Sequence, residues 1–157
     1  MCALQETRRN GFMSTTTENF EIFCYGECSG HRGVGIAVHK RLAHLITATR
    51  GIPETDGRLM TIAILLHDSK RPVTLICSYA HPCSSSSVVR KKFYAQLDKL
   101  VTPSSWLLGD FNARVGRRLR ASDADFGAEI PNTIGPWSLK ADNMPNPNGA
   151  LLLNTKP

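Results

Sequence analysis

The chain is short of acid: 13 Asp and Glu stand against 19 Lys and Arg in 157 residues, a formal net charge of +6. With a pI near 9.3, it favours an anionic partner, and nucleic acid fits better than a small acidic metabolite. Paired cysteines are also missing. Cys2, Cys24, Cys28, Cys77 and Cys83 are an odd number without a CxxC spacing, which argues against a zinc site or a disulfide framework and for reduced thiols. No apolar run approaches the roughly 18 residues of a membrane helix, and nothing at the N-terminus resembles a signal peptide. There is no internal repeat. The expectation is one soluble, intracellular domain without a membrane partner; 41% hydrophobic and 20% charged residues are ordinary globular composition.

What the chain does have is concentrated near its middle. Trp106-Leu107-Leu108 runs into Gly109 and then delivers Asp110 and Asn112 two residues apart. If Trp106 to Leu108 form a buried strand, the period of two puts Asp110 and Asn112 on one side as the chain emerges. A carboxylate beside an amide suits divalent-metal phosphate chemistry. The carboxylate can hold a hard cation or take a proton from water, and the amide can hydrogen-bond a phosphate oxygen. The plainer reading is an Asx-type turn closing a core strand.

Along the chain, Met1 to Thr7 reads as the end of a strand that delivers Glu6 at its edge; an exposed glutamate on a frayed terminus is the alternative. Ser14 to Asn19 looks turn-like, and Phe20 to Tyr25 reads as a strand. Gly30-His31-Arg32-Gly33-Val34-Gly35 is no P-loop, since no GKS or GKT follows; it reads as a hairpin turn with His31 and Arg32 exposed at its tip. Leu45 to Thr49 and Leu59 to Leu66 are strand candidates separated by the turn residues Pro53, Asp56 and Gly57. His67 to Lys70 then forms a second hairpin connection into Val73 to Ala80, apolar on both faces and therefore central. At its outgoing end, Tyr79 either donates a hydrogen bond to a phosphate or simply roofs the core, and His81 reads as a bystander.

Ser84 to Ser87 is a loop with a helix N-cap, and Val89, Phe93, Leu97 and Leu100 fall at helical spacing until Pro103 ends the helix. Ala121 to Asn148 is rich in Asp, Asn, Pro and Gly and looks like a long surface loop, with a helix opening around Leu151 to Leu153. Basic residues cluster at Arg8-Arg9, at Arg90 to Lys92, and at Arg114, Arg117, Arg118 and Arg120, directly after Asp110 and Asn112. The element order suggests an α+β fold or a layered β-sandwich with helices outside.

Four segments carry a resemblance. Leu4-Gln5-Glu6-Thr7, Val34-Gly35-Ile36, Cys77-Ser78-Tyr79-Ala80 and Leu108-Gly-Asp-Phe-Asn-Ala-Arg-Val-Gly116 stand in the order and approximate spacing of the endonuclease/exonuclease/phosphatase superfamily. In particular they resemble the apurinic-like endonuclease domain of non-LTR (LINE/RTE-type) retrotransposons, over nearly the whole chain. The resemblance implies a DNase I-like, four-layered α/β sandwich: two β-sheets face to face with helices outside. It implies Mg²⁺- (or Mn²⁺-) dependent hydrolysis of a phosphodiester, nicking target DNA in the nucleus. Glu6 then resembles the metal-binding glutamate, Tyr79 the tyrosine on the scissile phosphate, Asp110 the aspartate that orients or deprotonates water and shares the metal, and Asn112 its partner amide. Arg8, Arg114, Arg117 and Arg118 would meet the polyanion.

The chain departs from that pattern in three places. The family opens with a strand ending in an asparagine and closes with a Ser-Asp-His-type strand. Here the chain starts after the first, and all five histidines (His31, His39, His44, His67, His81) precede Asp110. His81 also stands where the family usually has proline. Residues 1–157 are therefore expected to be a single incomplete domain with little or no nuclease activity. The alternatives are a non-catalytic nucleic-acid-binding remnant or interaction protein of the same fold and, within the superfamily, a phosphatase or deadenylase.

Overall fold

The computed structural model describes residues 1–27, 31–67, 69–116 and 144–155. Its architecture is mixed α/β, with two four-stranded sheets. The first sheet is antiparallel throughout, in the order β1 (Cys2–Gln5), β4 (Val34–His39), β3 (Phe20–Gly26), β2 (Gly11–Thr16). The second runs β5 (Ile46–Gly51), β6 (Leu59–Ile64), β7 (Val73–Tyr79), β8 (Ser105–Asp110). Its first three strands pair antiparallel. β8 lies parallel to β7, which requires a long crossover, and helix α2 (Ser87–Asp98) supplies it.

Side-chain alternation makes the layers. On β6, Met60, Ile62 and Ile64 point toward the first sheet and meet Val34, Ile36 and Val38 of β4. The opposite faces of β6 and β7 send Leu59 and Ile76 against Phe93, Tyr94 and Leu97 of α2. β7 is thus buried on both faces and sits between β6 and β8, as its apolar run predicts. Each fully buried Ile or Leu in these two cores contributes about 1.5–3 kcal/mol relative to exposure. Helix α3 (Pro147–Leu153) adds Leu151 and Leu152 to the α2 layer.

The expected four layers are three among the described residues: sheet, sheet, helices. The short helix α1 (Lys40–Ala43) buries no residue and so forms no fourth. Other expectations shift locally. Ser14 to Thr16 belong to β2 rather than to a turn, because β2 is an edge strand, exposed on both faces, where polar residues are tolerated. Trp106 is in the expected strand but 58% exposed, since β8 is the edge of its sheet. Val89 is exposed, and Tyr94 takes its place on the buried face of α2. Ser86 caps that helix by accepting from Val89 N–H, as the serine run suggests. α3 begins earlier than expected, at Asn146-Pro147, a cap followed by proline at the first helical position. Cys28, Gly30, Asp68, Arg117, Arg118, Arg120 and nearly all of the Ala121 to Asn148 loop lie outside the described residues. No helix among the described residues is long and apolar enough to cross a membrane, which says nothing about crossing by strands.

Gly109 sets the closeness of β7 and β8. Its φ is +134°, and a Cβ there would lie 2.0 Å from the Ser78 carbonyl oxygen. Gly109→Ala must therefore move backbone, and it is expected to cost about 2–4 kcal/mol from combined backbone strain and overpacking. Urea unfolding of the variant measures it; a loss under about 0.5 kcal/mol would show that the strand pair relaxes freely.

Candidate active site

Parallel pairing brings the outgoing ends of β7 and β8 side by side, with Tyr79 directly opposite Asp110. Tyr79 follows Leu75 and Cys77 on the face that looks toward the first sheet, and Asp110 follows Leu108 on the same face. β1, the edge of the first sheet, packs over this point. The Cys77 thiol helps to hold it there, approaching the carbonyls of Gly35 at 3.2 Å and Leu4 at 3.5 Å. Burial pushes that thiol up to about 11, so it remains a donor.

Beyond Gln5 the strand breaks at Glu6, whose φ of +54° swings its carboxylate toward β7. The Tyr79 hydroxyl donates to Glu6 Oε1 at 2.7 Å across 73 residues of sequence. This hydrogen bond is the main reason the Tyr79 phenol titrates above its ordinary value. Desolvation and the charges of Glu6 and Asp110 add to the rise, and Arg58 opposes it. Glu6 is thus no frayed terminal residue. Both Glu6 and Asp110 are exposed.

Asp110 and Asn112 are brought together by a turn rather than by strand alternation. The strand ends at Asp110; Asn112 has φ +45° and donates its N–H to Asp110 Oδ1 at 2.8 Å, an Asx turn. The plainer sequence reading is therefore correct for the local geometry. The Asn112 amide turns inward and donates to the Ala80 carbonyl at 2.9 Å, stitching the two strand exits together. One carboxylate oxygen and one amide N–H are occupied in this way.

Two residues that sequence reasoning missed complete the surroundings. Asn148 is fully buried. Its Nδ2 donates to the carbonyls of His81 at 2.7 Å, Asn112 at 3.2 Å and Phe111 at 3.3 Å, while its Oδ1 accepts from Arg90 at 3.4 Å. It ties α3 to the loops after β7 and β8. The signal was the Asn-Pro helix start, which places Asn148 in the first turn of α3 rather than in a surface loop. Arg58, 5% exposed, lies under Tyr79 with its guanidinium carbon 5.0 Å from the ring centroid. No sequence pattern marked it.

The basic residues divide. Arg8 is exposed close to Glu6, and Arg114 is half-buried, with its backbone hydrogen-bonded to Asn146. Arg32 is no free loop tip; it pairs with Asp56. His81 is half-buried with its ring edge-on to Phe93, 5.9 Å between centroids. Desolvation, followed by the charges of Arg58 and Arg32, lowers its pKa to about 4.

Glu6 and Asp110 are the carboxylates of this cluster, and among the described residues no group of three or more His, Cys, Asp or Glu could hold a metal ion. No protein-family model matches the chain, and no curated protein does.

Two expectations come from these surroundings. Between pH 6.5 and about 4 the unfolded chain binds a proton at His81 that the folded protein resists, so stability falls as pH drops through that window. His81→Gln should flatten that limb of a urea-midpoint profile; an unchanged slope would place the acid sensitivity elsewhere. Asn148→Ala leaves several buried carbonyls without their donor and should destabilise by about 2–4 kcal/mol. The same unfolding measurement tests it, and a near-neutral change would mean that water replaces the amide.

Proposed function

We propose that the chain is a metal-assisted phosphodiester hydrolase domain of the endonuclease/exonuclease/phosphatase type, directed at DNA. The observation that carries this reading is the Tyr79–Glu6 hydrogen bond beside Asp110. Three of the segments whose order resembles that superfamily, far apart in the chain, meet at one polar mouth. The donor chemistry fits a hard cation: Glu6 and Asp110 offer carboxylate oxygens, and Mg²⁺ is commonly bound through one or two carboxylates plus water and substrate phosphate. When bound, Mg²⁺ or Mn²⁺ would neutralise phosphate charge and stabilise the leaving alkoxide.

The chain's own groups would do the rest. Glu6 and Asp110 would hold the cation, and the Tyr79 hydroxyl, which donates to Glu6 in this structure, would serve as a donor to a phosphate oxygen. Asp110 orients or deprotonates the attacking water, with its carboxylate held by the Asn112 N–H. The Asn112 side chain keeps the Asp110 turn in register with Ala80, and its second amide hydrogen would serve a phosphate oxygen. Arg8 adds salt-sensitive attraction for a polyanion, as do Arg114, Arg117 and Arg118 by their place in the sequence. A retrotransposon-type role, nicking nuclear DNA to expose a priming 3′-hydroxyl, rests on the wording around Asp110.

A second reading is a non-catalytic nucleic-acid-binding protein of the same fold. It is favoured by the fact that each carboxylate already has a protein partner, the Tyr79 hydroxyl for Glu6 and the Asn112 backbone N–H for Asp110.

Binding of a DNA duplex at two salt concentrations and nicking of supercoiled plasmid with Mg²⁺, Mn²⁺ or EDTA separate the readings. The nuclease reading expects affinity that falls steeply with salt and slow metal-dependent nicking, since all five histidines precede Asp110. Asp110→Ala and Glu6→Gln should each lower that nicking by about 100-fold or more. Salt-sensitive binding without cleavage in either metal supports the second reading. Absence of both DNA binding and cation binding overturns the two together.

A further inference from the structure

Tyr79 is gripped from the side opposite its hydroxyl by one buried arginine. Arg58 follows Asp56 (φ +56°) and Gly57 (φ +67°), two left-handed residues that end the short turn Pro53–Thr55. A Cβ at Gly57 would lie 2.8 Å from the Glu27 nitrogen, so the turn is pressed on the end of β3 and its direction is fixed. From there Arg58 makes three contacts with Tyr79. Its carbonyl accepts the Tyr79 N–H at 2.9 Å, its Nη1 donates to the Tyr79 carbonyl at 3.0 Å, and its guanidinium covers the ring face at 5.0 Å. Its Nε is buried without a hydrogen-bond partner. The guanidinium is held by the Tyr79 carbonyl and laid on the Tyr79 ring.

We propose that Arg58 is a positioning residue for Tyr79, holding backbone and ring so that the hydroxyl points at the Glu6–Asp110 mouth and is strengthened as a donor by the cation on its π-face. The functional weight of this assignment rests on the reading in which Tyr79 meets a phosphate; the grip itself does not. Lysine cannot replace it, because a single ammonium cannot both stack on the ring and reach the carbonyl as a planar fork does. The charged and titratable groups facing the phenol are Glu6, Asp110 and Arg58. The first two hold its pKa up and the third draws it down. His81, two residues on from Tyr79, has its pKa lowered to about 4 by burial first and by Arg58 second, and its ring packs on Phe93.

The test uses the metal-free full chain with no substrate, so its outcome is independent of any nuclease activity. Tyrosine ring NMR follows the ring resonances and ring flipping of Tyr79, assigned by Tyr79→Phe, with Tyr94 as an internal reference for an intact core. In Arg58→Met the Tyr79 ring resonances should shift as the guanidinium leaves the ring face and its ring should flip faster, with Tyr94 unchanged. Arg58→Lys should still free the ring, because charge alone does not restore the fork. If Arg58→Met does not fold, Arg58→Lys decides the question through ring flipping. A folded variant whose Tyr79 ring resonates and flips as in the parent overturns the proposal. That result would leave the nuclease reading standing, whereas a freed ring in a protein that binds neither DNA nor cation would leave the grip and remove its purpose.

Discussion

The hydrogen bond between the Tyr79 hydroxyl and the Glu6 carboxylate joins the two sheets at their polar end, and the candidate site depends on it. It forms only because the apolar core below sets the spacing. β4 and β6 interlock through buried aliphatic side chains, β1 lies at the edge of one sheet, and β7 with β8 ends the other. Stacked sheets stand about 10 Å apart, too far for backbone contact. A long phenol from one sheet and a glutamate swung out by a left-handed residue from the other bridge that gap. The contact concentrates negative charge at an exposed mouth, which opposes phenol ionisation.

Around that bond, polar groups are held mainly by backbone rather than by one another. Asp110 is fixed by the Asn112 N–H, Asn112 by the Ala80 carbonyl, and the carbonyls of Asn112, Phe111 and His81 by the buried amide of Asn148. Backbone partners cannot swing away as side chains can, so the loops leaving β7 and β8 are set in place before any ligand arrives. The arrangement also occupies donors and acceptors that a substrate would want. Preorganisation and availability trade against each other here, and the nuclease and binding-only readings differ in which prevails.

Much of the secondary structure was legible in the chain. The two-faced apolar run of β7 predicts a central strand, the serine run predicts the cap of α2, and the glycine-rich stretch predicts a hairpin into β4, because in each case local chemistry and burial agree. Where they disagree, local reading went astray. β2 looks like a turn because an exposed edge strand needs no apolar alternation, and Trp106 looks buried because nothing local reveals that β8 has one neighbour. Asn148 has the composition of a loop residue, yet it is among the most buried polar groups.

The sequence by itself put the candidate residues at strand ends: Tyr79 and Asp110 close β7 and β8, and Glu6 and Asn112 lie just beyond β1 and β8. Only the tertiary structure decided that Glu6 and Tyr79 touch, that an Asx turn rather than strand alternation couples Asp110 to Asn112, and that Arg58 lies beneath the phenol. The physical reason is range. Alternation and turn chemistry act over a few residues and can be read from them, whereas a contact spanning 73 residues exists only after two sheets have packed and set the distance between their edges.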